Sequence, residues 1–298
     1  MGYSVVTTVL SPAASYALTD LATVKDELSI QTGDSTNDAW LGRAITQTSA
    51  SISNYCRRVF APERVQDVFD IQQDPYPYQT PGGFAALELS RLPVLAVLSV
   101  VQTLAVGVTQ TLVEGVDFRT DPNTGRLLRL NPFTGPVTTW EAVPVTVTYT
   151  AGHGALVQEA HTVPTSPYQV TVAQSAAFSC DQSVAYASGV ALTLVTGSPA
   201  QGQYSVAGGV YTFNPADVGP PLSFTYAVLA VPADLVDATL RLVTSRFQGK
   251  DRDPLLMSMS QPNLGEKRYW VGTSPGQNGA FGPEIEGLLS PYRAVVVA

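Results

Sequence analysis

Apolar positions recur at helical spacing in three long stretches of the chain and at a period of two through most of the rest. In ALTDLATVKDELSI, Leu21, Val24 and Leu28 share one helical face, and Thr19 or Asp20 can cap its start. In STNDAWLGRAITQTSASISNYCRRVF, Leu41, Ile45, Thr48, Ile52 and Tyr55 form a near-heptad stripe, and Ser35 and Asp38 have capping-box spacing. Arg57 and Arg58 would fall in the last turn, where positive charge suits the helix dipole, so the pattern predicts a helix from about Asn37 to Arg58. After Pro232, which fits a first helical position, ADLVDATLRLVTSRFQ aligns Leu235, Ala238, Leu242 and Phe247 or Ser245 and is expected to pack across the second helix. A short final helix is predicted from Pro283 to Leu289.

From Glu63 the period changes to two, in RVQDVFDI, LELSRLPVLAVLSVVQ, VEGVDFRTD, GRLLRLN and VPVTVTYTAG, with DPNTG as a tight turn. These segments predict antiparallel hairpins. The proline-rich QDPYPYQTPGG is expected to be an exposed loop whose Tyr76 and Tyr78 can touch a partner. Between Gly154 and Val231 the runs YQVTV, AAFSC, VALTLV, QYSVAGGVYTF and LSFTYAVL are short and broken by glycine and proline, as in a small sandwich or barrel-like module of about five to seven strands. The expected class is therefore α+β: a small helical bundle with antiparallel hairpins and an inserted all-β, sandwich-like domain.

Charge sharpens this boundary. Lys and Arg occur nine times up to Arg129 and seven times from Arg241 on, with none between, and residues 155–230 hold only Glu159, Asp181 and Asp217 as charged side chains. The expected division is a discontinuous core, 1–153 and 231–298, with a C-terminal arm over 249–298 and an inserted β-domain at 155–230. The closing strand LSFTYAV echoes VTVTYTAG, so the chain is expected to leave the core near Gly152 to Gly154 and return near Ala230 to Pro232, with the two ends close in space.

A net charge of −8 removes the general attraction to phosphate on which ordinary nucleic-acid binding depends. No apolar run is long enough to span a membrane and the start lacks a secretory pattern, which predicts a soluble chain made in a cytoplasm. Cys56 and Cys180 have no partner spacing and read as buried thiols. His153, Glu159 and His161 match no ligand pattern and read as loop residues at the surface, so no metal is expected. Gly272 to Gly276 matches G-x-S-x-G around Ser274, but the next residue, Pro275, has no N–H for an oxyanion hole. No phosphate-binding glycine loop occurs, and nothing implies a cofactor or an enzyme.

The stretch from Gly249 to Gly279 has little regular period. It mixes Lys250, Arg252, Lys267 and Arg268 with Leu255, Leu256, Met257, Met259, Tyr269 and Trp270, a combination suited to an arm ordered by a partner. Tyr292 and the apolar Val295, Val296 and Val297 are candidate contacts to a neighbouring subunit or a tail protein.

The order of LTDLATVKDELSI, DAWLGRAITQTSASISNYCRRVF, VEGVDFRTDPNTGRLLRL, VPVTVTYTAG, VPADLVDATLRLVTSRF and EIEGLLSPYR resembles the head-to-tail connector, or adaptor, proteins of tailed bacteriophages and gene transfer agents. The resemblance covers residues 15–153 and 231–293 and does not extend to the insert. It implies a homo-oligomeric ring, usually twelvefold, in the virion neck and assembled in the host cytoplasm. The portal protein would lie above it and a stopper or tail-completion protein below. Double-stranded DNA would pass through without sequence-specific binding, and no membrane would be involved. The arm around Lys250 to Trp270 would reach the portal. The alternative is a virion module whose β-domain binds a host receptor or glycan.

Overall fold

The computed structural model describes residues 3–71, 86–141, 143–250, 258–261, 265–268 and 281–294. The fold mixes α and β, with far more strand than helix. The chain divides into two units, residues 1–15 with 61–230 and residues 16–60 with 231–298. One division, between Ala230 and Val231, falls at the expected seam, and two others fall inside the segment 1–153.

The helical unit contains α1 (Leu21–Glu27), α2 (Asp38–Cys56), α3 (Ala233–Gln248) and α4 (Pro283–Leu289). Asp20 caps α1 by accepting the Thr23 N–H at 2.8 Å. The expected capping box at α2 does not form: the Asp38 carboxylate is taken by the buried Lys25 ammonium at 2.5 Å. Arg57 is not in the last turn either, because it sits in the left-handed region at φ 53° and ends the helix. Pro232 stands just before the first turn of α3 rather than within it.

The stripe on α2 is buried as its spacing requires, except for the half-buried Tyr55. Its first half packs with Val24 of α1 and Val243 of α3. Its second half packs with Leu18, Phe60, Leu235, Ala238 and Leu289. Each fully buried leucine or isoleucine of this kind, such as Leu41 or Ile52, stabilises by roughly 1.5–3 kcal/mol.

The other unit holds the strands β1 (Tyr3–Ser11), β2 (Glu63–Ile71), β3 (Ala86–Glu88), β4 (Val94–Ala105), β5 (Val108–Leu112), β6 (Phe118–Asp121), β7 (Arg126–Arg129) and β8 (Val145–Ala151). It continues with β9 (Gly154–Thr162), β10 (Gln169–Thr171), β11 (Phe178–Tyr186), β12 (Thr193–Leu194), β13 (Gln203–Ala207), β14 (Val210–Phe213) and β15 (Pro221–Leu229). One sheet has the order β1-β2-β8-β4-β5, with every neighbouring pair antiparallel. Alternate residues Val65, Phe69, Val145, Val147, Tyr149 and Val100 turn to one face, where Leu87, Phe118, Leu127 and Trp140 complete the core. Three of those four come from the smaller sheet β3-β7-β6 or its margin.

Residues 154–229 form two further sheets, β11-β15-β9 and β10-β14-β13-β12. They enclose a second, separate core built on Val184, Phe224, Tyr226, Tyr204, Tyr211 and Phe213. Strand β12 pairs with β13 in parallel. Strands β1, β5 and β9 have no counterpart in the runs read from the sequence. Gly154 to Thr162, expected to be a loop, is the edge strand β9 against the full length of β15.

The passage from β8 to β9 occupies only Gly152 and His153. Gly152 has φ +143°, and a Cβ there would stand 2.5 Å from the Pro62 backbone; one on Gly154 would stand 2.0 Å from the Val228 carbonyl oxygen. Leu229 pairs with Gly154, and the Ala230 N–H donates to the His153 carbonyl at 3.1 Å. The chain thus returns to within one hydrogen bond of where it departed. Gly154→Ala should cost about 1–3 kcal/mol in urea unfolding because the backbone around it has no room to give. Gly197→Ala, at an open and exposed position, should stay within about 0.5 kcal/mol of the parent.

Candidate functional site

The residues expected to contact partners fall in four different places. Lys250 follows α3 and is held within its own unit: its ammonium donates to Asn37 Oδ1 at 3.0 Å and lies 4.7 Å from the Phe247 ring centre. Met259, Lys267 and Arg268 belong to a hairpin of β16 (Ser258–Gln261) and β17 (Gly265–Arg268), in which Met259 stands opposite Lys267 and Ser258 opposite Arg268. Regular pairing thus occurs where the sequence pattern showed little period. Arg252, Leu255, Leu256, Met257, Tyr269, Trp270, Tyr76, Tyr78, Val295, Val296 and Val297 lie outside the described residues, as does Ser274.

Tyr292 is packed inside its unit, with its ring edge-on to Phe60 at 6.1 Å and its hydroxyl donating to Asp234 at 3.4 Å. The segment around it is fastened to the end of α2: Ala294 N–H donates to the Cys56 carbonyl at 2.9 Å, and Phe281 stacks edge-on to Tyr55. Residues 281–294 are therefore part of the helical unit's packing rather than a free arm.

The charged groups of 155–230 share one arrangement that their spacing did not reveal. Each accepts a tyrosine hydroxyl. Asp181 takes Tyr204 and Tyr211 at 2.7 and 2.9 Å, Asp217 takes Tyr186 at 2.7 Å, and Glu159 takes Tyr226 at 2.5 Å. Asp181 and Asp217 are fully buried. Glu159 also accepts the Ala173 N–H and lies 2.7 Å from Nε2 of His161, whose ring packs edge-on to Phe224. The pair is an internal fastening of β9 rather than a metal site. Among the described residues no group of three or more His, Cys, Asp or Glu side chains is placed to hold a metal.

Burial sets the chemistry of these groups. It pushes the Cys180 thiol up to about 12 and the Cys56 thiol up to about 11, so neither is a nucleophile at neutral pH. Asp181 is raised because burial removes its water, against the lowering effect of its tyrosine partners. Burial also works against the charge of Glu159, but hydrogen bonds from Tyr226, His161 and Ala173 outweigh it and hold the carboxyl below its usual range.

Several large apolar side chains stand exposed on the described surface. Val106, at the tip between β4 and β5, and Phe133 are almost wholly exposed, at 103% and 94%, and Val6 on β1 is 63% exposed. The signal for the first was present in the sequence, since residues 92–113 contain no charged side chain. No helix among the described residues is long and apolar enough to cross a membrane.

No family model matches the chain, and no curated protein is significantly similar to it. Among solved structures it is similar to a chain in the neck of an empty GTA particle computed with C6 symmetry, with a TM-score of 0.42. It is similar also to a chain in the virion of a native gene transfer agent (GTA) particle, at 0.40, and to one in the neck of a native GTA particle computed with C12 symmetry, at 0.37. Identity is 14% in each case, and each match covers 100% of this chain and 98% of the other. Likeness of this degree assigns neither a family nor an activity.

Two measurements test the carboxylate arrangement. Tyr211→Phe leaves buried Asp181 short of a donor and should lower stability by about 1–3 kcal/mol in chemical unfolding. Because the folded-state value of Asp181 is raised, its favourable contribution is full below its ordinary 3.8 and is lost as pH rises through the higher folded value. Glu159 has the opposite sign: its contribution is present above its ordinary 4.5 and is lost as pH falls through the lower folded value. Stability of the parent relative to Asp181→Asn should therefore fall with rising pH, and relative to Glu159→Gln it should rise. Parallel curves for the two variants would contradict this assignment.

Proposed function

We propose that this chain is a structural virion protein of the neck: a connector, or adaptor, ring between the portal vertex and the tail, through which DNA passes without sequence-specific binding. The observation that carries the reading is the return of the chain at Gly154 and Leu229. With that excursion set aside, β8 runs through a short link into the proline-led α3. This is the order, VPVTVTYTAG then VPADLVDATLRLVTSRF, on which the resemblance to connector proteins rests. Helices α1 to α4 then correspond to the small bundle of that core, strands β1 to β8 to its hairpins, and residues 155–230 to an inserted β-domain.

In this reading the work is mechanical. Buried carboxylates and thiols are committed to internal packing, and the exposed apolar positions are available for subunit contacts. The stretch from Lys250 to Trp270 is the portal-facing arm, and a stopper or tail-completion protein binds the opposite side. A receptor- or glycan-binding role for the insert is favoured by one observation: its three charged groups all point to internal tyrosine partners, which leaves Ser, Thr and Gln as its polar surface. That role adds to the ring and does not replace it.

Native mass spectrometry and negative-stain imaging of the purified chain should give a single closed cyclic oligomer, expected to contain twelve copies, and the chain should be present in purified particles. A chain that stays monomeric at every concentration and is missing from particles overturns the reading.

A further inference from the structure

Strands β1 and β5 are the two outer strands of one five-stranded sheet, and both leave a backbone edge without a strand partner among the described residues. Such edges are normally guarded by charge, proline, a short length or a covering element. These two have little of that protection. YSVVTTVLS and VTQTL carry no charged residue and no proline, and the chain has no charged side chain over residues 1–19 or 92–113. Ser4 and Val6 to Leu10 of β1 are exposed, as are Val108 to Thr111 of β5. Beside β5, the turn at Val106 adds an apolar projection.

The direction of the strands decides how two such edges can meet. Four successive antiparallel pairings separate β1 from β5, so the two run the same way. In a cyclic ring of many copies, neighbours differ by a small rotation. The sheet of one copy can then continue into the next only by setting β5 parallel to the neighbour's β1. That contact uses two different surfaces, so it is heterologous and propagates around a ring, whereas β1 against β1 would stop at a dimer. The occupant is a second copy of this chain because each edge meets its match on the same molecule. Both edges are neutral on a chain of net charge −8, so association there avoids the repulsion that other faces of like copies would meet.

We propose that subunits join by adding β5 of one copy, in parallel, to β1 of the next, which makes the five-stranded sheets one continuous belt. This inference rests on the ring reading above. On the sheet face away from the first core, Ser4, Val6 and Thr8 of β1 lie on the same side as Thr109 and Thr111 of β5. Each β1 position is changed to cysteine in combination with each β5 position in the full chain. Both native cysteines are buried, so they do not compete.

At least one of the six double variants should give, on mild oxidation, a ladder of covalent multimers ending at the size of the untreated oligomer. The matching single variants should not cross-link to themselves, and an equal mixture of them should give dimers only. Val6→Lys should raise the concentration needed for assembly at least tenfold while leaving the circular dichroism spectrum unchanged. Dimers from a β1 single variant, or an intact ring in which no pair cross-links, overturn this inference and leave the ring reading standing. A chain that never assembles overturns both.

Discussion

The close approach of residues 152–154 to Pro62 and Val228 is the constraint on which the rest of the strand unit depends. It lets β8 become β9 within two residues, so that one strand serves the first core and the next serves the second. A side chain at Gly152 or Gly154 would occupy the space of the Pro62 backbone or the Val228 carbonyl. With that passage closed tightly, β15 can run beside β9 along its whole length and deliver the chain to α3 beside the point where it left. Arg64 donating to the Gln182 carbonyl and Ser179 donating to the Pro62 carbonyl, at 3.0 and 2.7 Å, fasten β11 to the same corner. The second core is thereby attached by backbone geometry and a few polar contacts rather than by a shared apolar interior.

The same economy governs charge. Three carboxylates in a stretch with no Lys or Arg would be costly to bury alone, and each is satisfied by a tyrosine hydroxyl whose ring also fills the core. Tyr204 and Tyr211 do both at once, stacked at 5.8 Å with their hydroxyls converging on Asp181. In the first core, Tyr149 donates to the buried Asp67 in the same way. Within residues 155–230 the acids are thus turned to internal partners rather than to solvent.

Much of this was legible along the chain. The stripe Leu41, Ile45, Thr48, Ile52 needed only period and burial, and the second core lies within the interval that lacks Lys and Arg, in a stretch with only three acidic side chains. Period two located β2, β4, β8 and β15 because apolar side chains fill most core-facing positions of each, although β8, the central strand of its sheet, is buried on both faces. It failed at β1 and β5, edge strands that expose most residues on both faces, and at β9, whose half-buried positions Val157, Glu159 and His161 are mostly polar, so burial there left no apolar alternation. The capping box at Ser35 failed because Lys25 competes for Asp38 from a distant point in the sequence. The tyrosine–carboxylate pairs were invisible for the same reason: Tyr204 and Asp181 are separated by 23 positions and meet only when two sheets face each other. Of the expected contact residues, Tyr292 is occupied within its own unit, Lys250 is tied to Asn37, and the hairpin at Met259 and Lys267 supplies a regular element that composition alone did not signal.

As proposed above, this chain is a ring-forming part of a virion neck whose core is interrupted by a β-domain. The most direct measurement is a cryo-electron microscopy map of particles assembled with this chain, at a resolution that separates strands. A cyclic ring of the chain between portal and tail is expected, with residues 155–230 attached to each subunit at Gly152 to Gly154. A map in which the neck lacks this chain, or carries it as isolated copies at another site on the particle, would contradict it.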